Sequence, residues 1–280
     1  MKLSIETYVL CKRFGPEAAL RMIAEAGFDA ADFSYYWLEK DTPLLGENFE
    51  ARARALRAYA DTLGLSINQA HAPFDENVTQ DAERRRYEHT RIERAIISAS
   101  ILGARQIIIH NLQTPDPADF YRTNLAYFRS FEETAKKWNI AIAVENLWSR
   151  ENGQIVGGRF STPDELSRVL DELGSEHFCG CIDVGHSHCV GFDASRFIRE
   201  LGGEKLKALH VQDTDLKSDT HQLPFIGKHD WRCIMGALRE VGYDGDLTLE
   251  VFAYLSGFPD ALLPSALKLA CDTGRYLMKL

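Results

Sequence analysis

The chain repeats one pattern eight times: a short apolar segment with alternating side chains, then a stretch with helical periodicity. Such a pattern calls for parallel strands joined by crossover helices. Eight units favour closure of the sheet, so the expected fold is α/β, a single (β/α)8 TIM barrel occupying residues 1–280 as one domain. An open doubly wound sheet normally has fewer strands and a glycine-rich first turn. Here the first strand runs instead into Cys11-Lys12-Arg13-Phe14-Gly15. Strands are predicted at 3–10, 28–34, 65–73, 104–110, 140–146, 178–184, 206–213 and 246–251. The helices between them are expected from Pro16 to Gly27, from Asn48 to Leu63, and over 82–102, 117–138, 163–173, 193–201, 230–241 and 259–279. Thr162-Pro163-Asp164-Glu165 reads as a capping box with proline in the first turn.

Four strands finish on a side chain able to bind a metal: Glu145, Asp183, His210 and Glu250. Alternation sets the direction of each. Ile140, Ile142 and Val144 share one face of their strand, and Ala141, Ala143 and Glu145 share the other. Ile182 and Val184 likewise oppose Cys179, Cys181 and Asp183. Leu209 and Val211 oppose Ala208 and His210, while Leu247, Leu249 and Val251 oppose Thr248 and Glu250. In a parallel barrel the bulky aliphatics pack against outer helices and smaller groups point to the axis. The four candidate ligands are therefore expected to converge at one end of that axis.

Carboxylates with one imidazole suit a divalent metal, Mn²⁺ first, with Co²⁺ or Zn²⁺ as alternatives and Mg²⁺ less comfortable beside nitrogen. Chelation of a sugar's carbonyl and adjacent hydroxyl would acidify the proton between them and stabilise an enediolate. Glu145 and Glu250, nearly opposite across the barrel, are the candidate catalytic base and acid. Transfer from one face to the other gives epimerisation; one glutamate shuttling between adjacent carbons gives aldose–ketose isomerisation.

Histidines reinforce the site. His71, His110 and His210 fall at the ends of the third, fourth and seventh strands, and His186 follows Asp183 by three residues. His221 closes the triplet Asp219-Thr220-His221 in the next loop. His71, His110, His186, Asp219, His221 and Trp148 are the expected substrate-binding groups, whereas His89, His177, His188 and His229 are assigned structural roles. The long loops 35–47, 147–161 and 212–229, with neighbouring segments, supply Tyr35, Tyr36, Trp37, Phe74, Trp148, Phe225 and Trp231, rings suited to a sugar ligand. Lys228 and Arg150 could meet a phosphate, though solvated loop cations are the simpler expectation.

Composition narrows the partners. A formal net charge of −9 argues against broad attraction to nucleic acid or anionic membrane. No apolar run approaches roughly 18 residues and the start lacks a signal-like core, so a cytoplasmic protein is expected. Six cysteines without a CxxC pair read as reduced, space-filling thiols.

Taken in order, VEN (Val144–Asn146), DVGH (Asp183–His186), LHVQD (Leu209–Asp213), DTHQLPFIGKHDW (Asp219–Trp231) and YDGDLTLEV (Tyr243–Val251) resemble the xylose isomerase-like barrel superfamily. That group includes sugar phosphate isomerases and epimerases as well as endonuclease IV, of AP endonuclease family 2. Resemblance to its ketohexose epimerases implies Glu145, Asp183, His210 and Glu250 as metal ligands, the two glutamates as acid/base groups, and His186 in contact with substrate. Those epimerases carry an arginine shortly after the metal histidine, and Asp213-Thr214-Asp215-Leu216 supplies none. Resemblance to endonuclease IV implies instead three zinc ions on His71, His110, Glu145, Asp183, His186, His210, Asp219, His221 and Glu250. The acidic loop after the second strand fits DNA poorly. The expectation is a metal-dependent isomerase or epimerase of a small sugar, sugar phosphate or inositol derivative, with homo-oligomers common in the group. The alternatives are a zinc phosphodiesterase on abasic DNA and a non-catalytic metal- or sugar-binding barrel.

Overall fold

The computed structural model describes residues 1–36, 42–74 and 81–280, so Trp37 lies outside the described residues. Its strands are β1 (Leu3–Glu6), β2 (Ala30–Ser34), β3 (Ser66–His71), β4 (Gln106–Ile109), β5 (Ala141–Glu145), β6 (Ser149–Glu151), β7 (Gln154–Val156), β8 (Phe178–Asp183), β9 (Leu206–His210) and β10 (Leu247–Leu249). Eight of them form one sheet in the order β10-β1-β2-β3-β4-β5-β8-β9, and every pairing in it is parallel. A bridge from Val211, just past β9, to Leu249 of β10 brings the sheet's two edges together. The fold is thus the expected (β/α)8 barrel. β6 and β7 form a separate antiparallel hairpin in the loop after β5, an element the sequence reading did not foresee.

Side-chain alternation separates two cores. Ile107, Ile109, Ile142, Val144, Ile182 and Leu209 face outward into the cluster shared with the helices. Ile108, Ala143, Cys179, Cys181 and Ala208 fill the interior as a small cluster of their own. The N-terminal end of the barrel is closed by polar side chains. Ser4 Oγ donates to Asn68 Oδ1 (2.7 Å), Asn68 Nδ2 to Asp246 Oδ2 (3.2 Å), and Arg105 Nη2 to the same oxygen (2.8 Å).

Several expected boundaries shift for local reasons. The first strand stops at Glu6 rather than residue 10, because the Glu6 carboxylate accepts the Tyr8 N–H (2.6 Å) and a helix Tyr8–Phe14 begins. That helix buries Val9, Leu10 and Cys11 together, which a strand's alternation could not do. The helix expected over 117–138 breaks at Ser130–Phe131, where Ser130 Oγ caps the Tyr127 carbonyl (2.6 Å) and Phe131 turns into the core. The last strand ends at Leu249, and a short helix Phe252–Ser256 follows it before the terminal helix Leu263–Leu277. The helix Pro163–Leu173 carries the expected capping box, with Thr162 and Glu165 bonded reciprocally.

Candidate metal centre and pocket

All four strand-end residues meet at the C-terminal end of the barrel. Candidate ligand atoms of Glu145, Asp183, His210 and Glu250 lie within 4.8 Å of one another, and all four residues are buried. His210 Nδ1 stands 2.8 Å from Glu145 Oε1 and 3.5 Å from Glu250 Oε2. Its other nitrogen, Nε2, lies 3.3 Å from Asp32 Oδ2, which also accepts the Gln69 amide (2.7 Å). A carboxylate can only accept, so both ring nitrogens face acceptors and the surrounding carboxylates favour the charged ring. A metal ion on Nδ1 would take the place of the proton there and leave the Nε2 proton on Asp32. That is the usual outer-sphere arrangement of a metal-binding histidine. Three buried carboxylates beside one imidazole would be stabilised by a divalent cation. On donor type, spacing and charge, the residues fit a divalent ion.

The remaining candidates ring this quartet. His71 donates from Nδ1 to the Ala72 carbonyl (2.9 Å), turning Nε2 toward His110 Nε2 at 3.1 Å. His110 Nε2 is also 3.0 Å from Glu145 Oε2, so His71, His110 and Glu145 form a second compact group. On the other side, Asp219 lies 3.2 Å from His186 Nε2 and 3.0 Å from His221 Nε2, and accepts the Trp148 indole N–H (3.1 Å). Asp183, His186 and His221 make a third group. His221 adopts φ +40°, held by its N–H to Gln212 Oε1 (2.7 Å) and its Nδ1 to the Glu250 carbonyl (3.1 Å).

The motifs acquire physical roles here. Asp183 caps the helix Val184–Cys189 through the His186 N–H (2.7 Å), which fixes its carboxylate at the strand end. Gly185 has no room for a side chain, since a Cβ there would sit 2.5 Å from Gln212 Cδ. Asp213 accepts from Phe225 N (2.8 Å), Trp231 Nε1 (2.9 Å) and Thr214 N (2.9 Å), pinning the loop that delivers Asp219 and His221.

The electrostatics split the two glutamates. Burial alone would raise Glu145, but His210 and the hydrogen bond from His110 outweigh it and hold its carboxyl well below the usual range. Glu250 is pushed up to about 8, chiefly by burial, against the pull of His210 and His221. His221 is raised to about 9 because Glu250 and Asp219 overcome its burial, whereas burial and the neighbouring His110 push His71 well down.

Two buried acids of this region were missed. Glu6 and Asp32 end the inward-facing series Ser4–Glu6 and Ala30–Asp32 on β1 and β2, in direct register. Glu6 accepts from Ser34 Oγ (3.2 Å) and Tyr36 Oη (3.3 Å), and burial raises its carboxyl to about 7. The alternation that located Glu145 would have located both. A first strand predicted through to residue 10 hides Glu6, and Asp32 sits inside rather than at the end of its predicted segment.

Above the quartet opens a cavity of about 660 Å³, lined by Glu145, Glu250, His71, His110, His186, Asp219 and His221 among others. Tyr36, Phe74 and Trp148 form its aromatic walls, Tyr36 and Phe74 being stacked at 4.7 Å. Asp183 and His210 are fully buried and do not line it. Of the other aromatics expected there, Tyr35 is buried with its hydroxyl on Ser98 (2.8 Å), Phe225 is exposed beside Tyr276, and Trp231 is buried against Asp213. Arg150 lines the cavity and Lys228 does not. His89, His177, His188 and His229 also lie outside it. No helix among the described residues is long and apolar enough to cross a membrane.

Comparison with known proteins agrees with this architecture. A family model described as xylose isomerase-like TIM barrel matches residues 20–270, and the chain belongs to that family. It is 26% identical over 213 residues to the D-psicose 3-epimerase of Enterocloster bolteae, covering 72% of this chain and 67% of that protein. It is 24% identical over 220 residues to the probable endonuclease 4 of Bacillus licheniformis, covering 68% and 71%. A solved D-psicose 3-epimerase, crystallised in the presence of D-fructose, superposes with a TM-score of 0.78 at 18% identity over 99% of both chains.

Proposed function

We propose that the protein is a divalent-metal-dependent isomerase or epimerase acting beside the carbonyl of a small sugar or sugar derivative. One observation carries this reading: two glutamates, Glu145 and Glu250, line the same pocket and share with Asp183 and His210 a set of ligand atoms within 4.8 Å of one another. Two carboxylates facing one ligand site can act as an acid/base pair. A divalent ion on Glu145, Asp183, His210 and Glu250, Mn²⁺ first and Co²⁺, Zn²⁺ or Mg²⁺ otherwise, would polarise the carbonyl and a neighbouring hydroxyl. Of Glu145 and Glu250, one is suited to remove the proton from the adjacent carbon and the other to return one. His71, His186 and Asp219 offer hydrogen bonds to substrate hydroxyls, with Asp219 steadied by Trp148 and Gln212. The aromatic walls limit water at the reacting carbon. The likeness to a psicose epimerase supports the same class.

The test is solvent-deuterium incorporation into ketoses and inososes, followed by NMR. Glu145→Gln and Glu250→Gln should each lower exchange by about 10²–10⁴-fold while the fold is retained. Exchange persisting in both variants would remove the assignment.

A second reading is favoured by the three compact groups, which together with Asp219 reproduce the nine-residue set noted for endonuclease IV. On that reading the protein is a multinuclear zinc phosphodiesterase on abasic DNA. Elemental analysis separates the two: about one ion per chain for the isomerase and three zinc ions for the nuclease, the latter to be followed by an abasic-site cleavage assay.

A further inference from the structure

The pocket continues past its own walls. Gln113, Ser149 and Arg159 also line a second cavity of about 500 Å³. The backbone at this junction is unusual, because Arg159 and Phe160 both adopt left-handed φ, +59° and +62°. Residues bearing a Cβ avoid that region, and two in succession persist only where their surroundings hold them. Phe160 is buried against Phe120, with ring centroids 5.0 Å apart. The Arg159 carbonyl accepts from Leu147 N (3.1 Å) and Asn111 Nδ2 (3.2 Å). Its guanidinium donates from Nε to Asn111 Oδ1 (2.8 Å) and from Nη2 to the Asn111 carbonyl (2.9 Å). Glycine would make the same turn without strain but would lose both guanidinium bonds to Asn111.

Arg150, on β6, adds a second guanidinium, lying over the Trp148 ring at 5.2 Å and making no ion pair among the described residues. Arg150 and Arg159 are thus the guanidiniums of a pocket whose carboxylates are Glu145, Asp219 and Glu250, while Glu151, Glu165 and Arg168 line the second cavity. A planar guanidinium fixed in one orientation matches carboxylate or phosphate oxygens in pairs.

We propose that the substrate carries an anionic group, carboxylate or phosphate, which Arg159 and Arg150 bind where the two cavities meet while the carbonyl end lies over Glu145 and Glu250. This rests on the isomerase or epimerase reading above. It also supplies an arginine from the hairpin side of the mouth, where the ketohexose epimerase pattern would place one after His210.

Calorimetry on the manganese-loaded protein tests it with three unreactive probes: glucitol, glucitol 6-phosphate and gluconate. At least one anion should bind roughly 10-fold or more tightly than glucitol, and the preferred anion identifies the group. Arg159→Gln should erase most of that preference and Arg159→Lys restore part of it. Arg150→Gln, outside the strained segment, should weaken it too and serves if Arg159→Gln does not fold. Glucitol binding as well as both anions, no measurable binding of either anion, or a preference surviving in folded Arg159→Gln and Arg150→Gln overturns the proposal. Deuterium exchange on fructose and fructose 6-phosphate separates the two claims. Anion preference without exchange in any ketose defeats the isomerase reading while keeping the arginine site. Exchange in neutral sugars without anion preference defeats the arginine proposal alone.

Discussion

The two ends of the barrel handle buried charge in opposite ways. At the N-terminal end Asp246 receives the Lys2 N–H (2.6 Å), the Asn68 amide and the Arg105 guanidinium, so an acid is matched by donors and a cation. At the C-terminal end Glu6, Asp32, Glu145, Asp183 and Glu250 are all buried, and no lysine or arginine among the described residues is buried with them. Among the described residues Glu6 Oε1 and Asp32 Oδ1 have no hydrogen-bond partner. Histidines supply the positive charge, and His186 and His210 are raised despite burial because carboxylates surround them. One end matches its acid with donors and a cation; the other concentrates buried carboxylates that the proposed divalent ion would offset.

The largest effect should come from supplying the missing charge. Manganese at one hundred times its dissociation constant should stabilise the fold by about 2.7 kcal/mol, and chelation should reverse this. A thermal melt with and without EDTA reads it; coincident curves would remove the metal from the account. Asp32→Asn is expected next. It keeps the shape beside His210 but loses the fixed negative acceptor of Nε2, and should weaken metal affinity roughly 10–100-fold. Competition with a fluorescent chelator measures the change, and unaltered affinity would make Asp32 a packing residue.

Much of this contrast was legible in sequence, and unevenly. Period-two alternation reports which face a strand residue occupies, so Glu145, Asp183, His210 and Glu250 could be brought together without coordinates. It does not report where a strand ends. The carboxylate of Glu6, which stops β1, was therefore hidden inside an apolar run that continues as a helix. Contacts made by loops were less visible still. Arg159 and Asn111 are 48 positions apart, and their pairing depends on a left-handed turn that no local pattern encodes at Arg-Phe. Gln212 and Asp213 stood in recognised motifs, but their work of holding His221 and the Phe225–Trp231 segment needed the three-dimensional arrangement.

The smallest effect probes the quiet end. Asp246→Asn keeps an acceptor for Lys2 N–H but loses the charge facing Arg105, whose side chain is 57% exposed, so that ion pair contributes little. The main loss is one well-placed acceptor for the buried Asn68 amide, about 1 kcal/mol. Urea denaturation should therefore show a lowered midpoint with an unchanged slope. Metal affinity should stay as in the wild type, because Asp246 makes no contact with the quartet and lies at the far end of the strands. A parallel fall in metal affinity would mean that the two ends are coupled through the interior, where Gln69 reaches from β3 to the Leu209 carbonyl (3.3 Å), and the division between them would have to be redrawn.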